Sequence, residues 1–230
     1  MLALNSSLTP AYTQARAELL AFEAQGLLVA GKMATSSVCH EAWRQDGTAW
    51  LTAEVGPSLP LLAALNAQLH TCGLAMGAVL RKQGQMDLSS VHDMQLALFR
   101  GGGACFKAHS DTIDLQGPGR KLTLVLYLQP PEWTSGGALR VQGVGPGGSA
   151  TDIPPLGGTL VVMRSDLVHA VQPCWAPRAA LTVWFDGHLM TAHALYKEPI
   201  RPAGVDMAPA SVSESRAWSW LPCCLEPGVL

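Results

Sequence analysis

The sequence predicts a mainly β domain, a sandwich or barrel of short strands flanked by α-helices, and three observations predict it. First, 23 glycines and 16 prolines among 230 residues are more chain punctuation than a helical bundle tolerates. Second, between Met94 and Asp186 the apolar residues come in short strand-like runs (MQLALF, KLTLVLYL, ALRVQ, TLVVM, HAVQP, AALTVWF) separated by turns such as QGPG, TSGG and GVGPGGS. Third, helical spacing is confined to the stretch before residue 81. Hydrophobic residues at 48% and charged residues at 14% exclude intrinsic disorder. A net charge of −2 argues against a nucleic-acid partner held by a basic face.

In chain order, residues 11–25 place Ala15, Leu19 and Phe22 on one helical face between Pro10 and Gly26, which act as start and stop signals. Ala34 to Gly47 is polar and reads as a long loop. From Pro57 to about Leu80 the apolar residues Leu61, Leu62, Leu65 and Leu69 recur at helical spacing, so a second helix is expected, interrupted near Gly73 and Gly77. Both helices need a sheet to pack on. The run KLTLVLYL is apolar on both faces, which places it centrally, with one face inside the barrel and the other under the helices. After Glu198 the chain is rich in Pro, Ala and Ser and reads as a tail.

No run approaches the roughly 18 apolar residues of a spanning helix, and the N-terminus lacks a basic segment followed by an apolar core. A soluble intracellular monomer is therefore expected, cytoplasmic or nuclear, with no membrane contact. Its six irregularly spaced cysteines are expected to be reduced.

Chemistry is suggested by three segments that lie far apart in the chain. On a strand, His109 and Asp111 in FKAHSDT would project from one face as an imidazole beside a carboxylate. His169, on a later strand, can be carried onto that pair by a barrel. Two imidazoles and one carboxylate leave three positions open on a metal, as in the non-haem Fe(II) oxygenases; a Zn(II) site with an activated water uses the same ligand types. Arg178 decides between them. It opens the strand RAALTVWF, sharing a face with Ala180, Thr182 and Trp184, and an arginine pointing into an apolar barrel requires an anion, for which a carboxylate is suited. The four residues together specify a metal plus a carboxylate ligand. Trp184 and Phe106 read as packing aromatics, and His92, among other histidines, as an ordinary polar residue.

The strings WRQDGTAWL, HSD, GRKLTLVLYL, SGGALRV, VHAVQP and RAALTVWF, in this order over roughly residues 11–190, resemble the prolyl 4-hydroxylase branch of the 2-oxoglutarate and Fe(II) dependent dioxygenases, above all the hypoxia-inducible-factor prolyl hydroxylases. The resemblance implies a double-stranded β-helix core of jelly-roll, cupin-like type. It implies Fe(II) held by His109, Asp111 and His169, and 2-oxoglutarate whose distal carboxylate meets Arg178 and Tyr127 with Thr182 nearby. O2 would be the second cosubstrate, with ascorbate as a supporting reductant. The activity implied is hydroxylation of prolyl residues in a protein or peptide substrate, with an oxygen-sensing role as one use. The alternatives are an oxygenase of free amino acids or other small molecules, and a non-catalytic metal-binding sensor barrel. Arg120 falls where these enzymes contact substrate, and the Ala34 to Gln45 loop, with Arg44, falls where they have a substrate-covering finger.

Two departures from the family pattern stand out. Phe99 occupies a position where a tyrosine is usual in the cofactor pocket, and the chain begins at the first long helix without the strand and helix that usually precede it. The organisation implied is a supporting helical and substrate-loop region over 1–92, the oxygenase core over 93–195 and a tail over 196–230.

Overall fold

The computed structural model describes residues 9–32, 44–112 and 114–190. Most of the expected finger loop, 33–43, and the expected tail therefore lie outside the described residues.

Helix α1 (Thr9–Ala24) buries Tyr12, Ala15, Leu19 and Phe22, the three- and four-residue spacing that keeps side chains on one face. It ends where Gly26 takes a φ of +73°, a left-handed stop open to glycine. Helix α2 (Pro60–Lys82) starts on Pro60, and its free N-terminal amides are satisfied from outside: the Glu18 carboxylate of α1 accepts from Leu61 N–H at 3.1 Å and Leu62 N–H at 3.0 Å.

Contrary to the expected interruption, α2 runs unbroken through Gly73 and Gly77. Both glycines are seats for side chains of the sheet. A Cβ on Gly73 would stand 2.0 Å from Phe185, and one on Gly77 would stand 3.1 Å from Leu88. Close helix-to-sheet packing outweighs the roughly 1 kcal/mol per residue that glycine costs in a helix.

The strands are β1 (Val29–Ala30), β2 (Asp46–Leu51), β3 (Met86–Val91), β4 (Met94–Phe99), β5 (Ala104–His109), β6 (Arg120–Tyr127), β7 (Leu139–Val141), β8 (Thr151–Ile153), β9 (Leu160–Arg164), β10 (His169–Cys174) and β11 (Arg178–Leu189). Among the described residues they form two antiparallel sheets. The major sheet has the order β1-β2-β4-β11-β6-β9, with β3 also on β11; the minor sheet has the order β5-β10-β7-β8. Two facing sheets of this kind are the double-stranded β-helix.

Alternation divides the major sheet as expected. Leu122, Leu124 and Leu126 of β6, with Ala179, Leu181, Val183 and Phe185 of β11, join the helices in the largest core cluster. The opposite face, with Val125, Tyr127 and Ala180, meets Leu139 and Val141 of the minor sheet. Among the described residues no helix is long and apolar enough to cross a membrane. Cys105 and Cys174 are free thiols, but Cys72 is disulfide-bonded, against the expectation that every cysteine is reduced.

Candidate functional site

The minor sheet brings the two distant histidines together. His109, the last residue of β5, and His169, the first of β10, are register partners, and their ring centroids lie 4.3 Å apart. Each ring is fixed by its own backbone: His109 Nδ1 lies 2.8 Å from Lys107 O and His169 Nδ1 lies 2.8 Å from Leu167 O. A carbonyl can only accept, so each Nδ1 bears a proton and each Nε2 is the nitrogen turned towards the other ligand atoms, the orientation of a metal-ligating imidazole. Phe106 stacks on His109 at 3.7 Å and restricts its ring further.

Asp111 reaches the pair by another route than the one expected. It is not on a strand continuing from His109, since β5 ends at His109. Instead Asp111 N–H and Thr112 N–H donate to Ser165 O at 2.8 and 3.0 Å, which docks the turn on the end of β9. The Thr123 hydroxyl donates to Asp111 Oδ2 at 2.8 Å and sits 2.9 Å from Ser165 Oγ. Asp111 Oδ1 is then 4.0 Å from His109 Nε2, and Oδ2 is 3.9 Å from His169 Nε2. The three ligand atoms lie within 4.8 Å of one another. Desolvation and the neighbouring His169 push the His109 pKa down to about 4, so its imidazole is neutral at pH 7. Two imidazoles and a carboxylate whose ligand atoms converge this closely fit Fe(II).

Opposite this cluster, on the major sheet, Arg178 is 1% exposed. Its Nε–H donates to Gly137 O at 2.7 Å, and among the described residues its guanidinium has no carboxylate within ion-pair distance. The rings of Tyr127 and Phe99 lie 4.9 and 5.2 Å from its Cζ. Phe99 thus keeps an aromatic face against the arginine although it brings no hydroxyl. The Tyr127 hydroxyl is buried and, among the described residues, has no acceptor for its proton, while Arg178 beside it acts on it through its charge and as a hydrogen-bonding neighbour. Burial is the larger influence and raises the Tyr127 pKa, keeping the phenol a donor. A buried cation without an anion and a buried hydroxyl without an acceptor, side by side, fit the distal carboxylate of a 2-oxoacid. Thr182 lies two register steps along the same face, paired with Val125.

Sequence reasoning missed several supporting residues. Gly137, at φ +73°, lets the chain wrap Arg178, because a Cβ there would stand 2.6 Å from Arg178 Cδ. Thr123 and Ser165 orient Asp111; Thr123 shares a strand face with Tyr127, the signal that could have found it. Arg44 bonds Asp46 at 2.6 Å, and also Gln95 and Lys32 O, so its donors are engaged within the fold; it also covers Phe106 with 4.8 Å to the ring centroid. Arg120 is half-buried and stacks on Trp184, with its Cζ 4.0 Å from the ring centroid. The Trp184 indole nitrogen is buried without a hydrogen-bond partner among the described residues.

Residues 94–186 match the 2OG-Fe(II) oxygenase superfamily. Egl nine homolog 1 of Rattus norvegicus is 33% identical over 142 residues, which cover 58% of this chain and 40% of that protein; the Mus musculus protein is equally similar. The chain thus spans less than half the length of these curated relatives. A prolyl-4-hydroxylase of Pseudomonas putida superposes with a TM-score of 0.62 at 26% identity, over 77% of this chain and 87% of that one. A prolyl hydroxylase of Trichoplax adhaerens, solved with a hypoxia inducible factor oxygen degradation domain peptide, shares the fold with a TM-score of 0.64 at 22% identity, over 79% of both chains.

Proposed function

We propose, on the premise that this chain carries a 2OG-Fe(II) oxygenase domain over residues 94–186, that it hydroxylates prolyl residues in a protein substrate at the expense of 2-oxoglutarate and O2. The observation that carries this reading is the opposition across the two sheets of three metal-type ligands and a buried, anion-free arginine. Prolyl rather than other substrates is supported by the similarity to Egl nine homolog 1 and to the Pseudomonas putida prolyl-4-hydroxylase.

Fe(II) with 2-oxoglutarate and O2 supplies the oxidising chemistry, in which the oxoacid loses CO2 to become succinate and one oxygen atom enters the substrate. His109 Nε2, His169 Nε2 and an Asp111 oxygen would hold the metal, with the Lys107 and Leu167 carbonyls keeping both imidazoles in the ligating tautomer. Thr123 steadies the carboxylate by donating to it. Arg178 and the Tyr127 hydroxyl bind the oxoacid's far carboxylate as donors, and Thr182 lines that end of the pocket. Val125, Val161, Met163 and Ala180 keep water out between the two halves of the site. Arg120 over Trp184 meets the peptide at the mouth, and Arg44, tied to Asp46 and Gln95, shapes the neighbouring rim. Ascorbate supports repeated turnover, and the working unit is a monomer.

Succinate release from 2-oxoglutarate with Fe(II), together with a mass gain of one oxygen on proline-containing peptides, tests the reading. His109→Ala abolishes both signals, and unchanged turnover in that variant would sink it. Mass gain on free proline instead of peptides would move the substrate class to small molecules. Absence of any 2-oxoglutarate turnover would leave a non-catalytic metal-binding barrel.

A further inference from the structure

We propose that Asp186, held by His92, is a positioning residue that keeps the Arg120 guanidinium flat on Trp184 at the mouth of the site. The inference rests on the prolyl hydroxylase reading only for what Arg120 then meets.

Arg120 opens β6, and its register partner on β11 is Asp186, just past a bulge between Phe185 and Asp186. Among the described residues Arg120 makes no ion pair within 4.0 Å, so its fork is free for a ligand. A single stacking contact is weak against the rotamer entropy of a long side chain, and a second restraint is needed to hold the fork in one place.

The ladder sets Asp186 directly across from Arg120, and burial, the larger influence on the guanidinium, is countered by the carboxylates of Asp111 and Asp186 while Arg44 opposes them. The two carboxylates are not equivalent. Asp111 belongs to the metal-ligand cluster, and a bound cation would take up its charge. Asp186 lies outside that cluster and is left as the counter-charge that a bound metal would not take up.

Asp186 is itself tethered. His92 Nε2 meets Asp186 Oδ1 at 2.9 Å, and His92 N–H donates to Trp184 O at 2.9 Å. His92 thereby grips both the carboxylate that attracts Arg120 and the backbone of the ring on which Arg120 lies. The other charged groups nearby are Asp93, beside His92, and the register pair His188 and Asp87 farther along β11 and β3.

The side-chain Nε–Hε resonance of Arg120 in isotope-labelled protein, assigned by its loss in Arg120→Gln, reads the position of the guanidinium directly. In the wild type the Trp184 ring displaces it upfield. Asp186→Asn returns it to the position of a free arginine, Asp186→Glu retains the displacement, and His92→Gln moves it part of the way. An unmoved resonance in Asp186→Asn and His92→Gln overturns the proposal. With a prolyl peptide as substrate, Asp186→Asn raises KM about tenfold while kcat changes less than about twofold, and in an Arg120→Gln background it adds no further rise. A further rise in that background would reduce Asp186 to a hairpin contact and overturn the positioning role. If the wild type hydroxylates no prolyl peptide, the functional reading fails while the resonance still decides the clamp.

Discussion

A guanidinium at 1% exposure with no anion among the described residues is a demanding arrangement, and Arg178 owes its place to what surrounds it: two aromatic faces, the Gly137 carbonyl and the Tyr127 hydroxyl. A planar fork matches a carboxylate through two parallel bonds, which an ammonium cannot do. Arg178→Lys should therefore raise the half-saturating 2-oxoglutarate concentration by about tenfold to a hundredfold, equivalent to about 1–3 kcal/mol, in succinate-release kinetics. An unchanged value would remove Arg178 from the oxoacid site. His109 makes a second prediction, for the metal-free protein. Its folded pKa is depressed to about 4, below the ordinary 6.5 of the unfolded chain. Between these values the unfolded state binds a proton that the folded state refuses, so stability is intact above 6.5 and falls as pH drops towards 4. Melting temperature against pH should lose part of this slope in His109→Gln; equal slopes in the two proteins would contradict it. At this scale the metal-type residues were legible because imidazole, carboxylate and guanidinium are uncommon in a strand-rich apolar segment. The means of holding Asp111 was not legible, because Thr123 and Ser165 are 42 residues apart and only folding joins them.

Gly73 and Gly77 show how an element is read wrongly from propensity alone, since both weaken a helix by the same intrinsic amount and differ only in what lies opposite. At Gly73 an added methyl would stand 2.0 Å from the buried Phe185 ring. Gly73→Ala would gain about 1 kcal/mol of helix propensity but incur overpacking of about 1–3 kcal/mol, at the upper end for so close an approach. The net result should be a lowered melting temperature. At Gly77 the methyl meets Leu88 at 3.1 Å, a flexible and only partly buried side chain, so Gly77→Ala should be neutral or stabilising. Thermal denaturation of the two variants decides, and equal effects would refute the distinction. The same tertiary override explains the strands that periodicity overlooked. DGTAWL in β2 and MDLSSV in β3 are too polar to announce themselves, and they are strands because β4 and β11 offer open edges to pair with. Where the strand period was plain, as in KLTLVLYL and RAALTVWF, which residues share a face followed from the chain alone.

At the scale of the whole molecule, the two halves of the site stand on different sheets. His109 and His169 belong to the minor sheet, whereas Arg178, Tyr127 and Thr182 belong to the major one. The major sheet is backed by α1 and α2 through the large core cluster, while the minor sheet is held to it through two smaller clusters around Tyr127 and Phe106. A 2-oxoacid bound to the metal at one end and to Arg178 at the other would strap the sheets together. Stabilisation by metal and oxoacid should therefore exceed the sum of the two added singly. A ligand at a hundredfold excess over its dissociation constant contributes about 2.7 kcal/mol, or about 5–10 °C in melting temperature for a unit of this size. Thermal scans under anaerobic conditions, with Fe(II), with 2-oxoglutarate and with both, measure this. Arg178→Ala should keep the increment from metal alone and lose the extra increment from the pair, and hydrogen exchange in β5, β7 and β10 should slow only when both are present. Additive shifts in the wild type, or a surviving joint increment in Arg178→Ala, would mean that the oxoacid does not bridge the sheets.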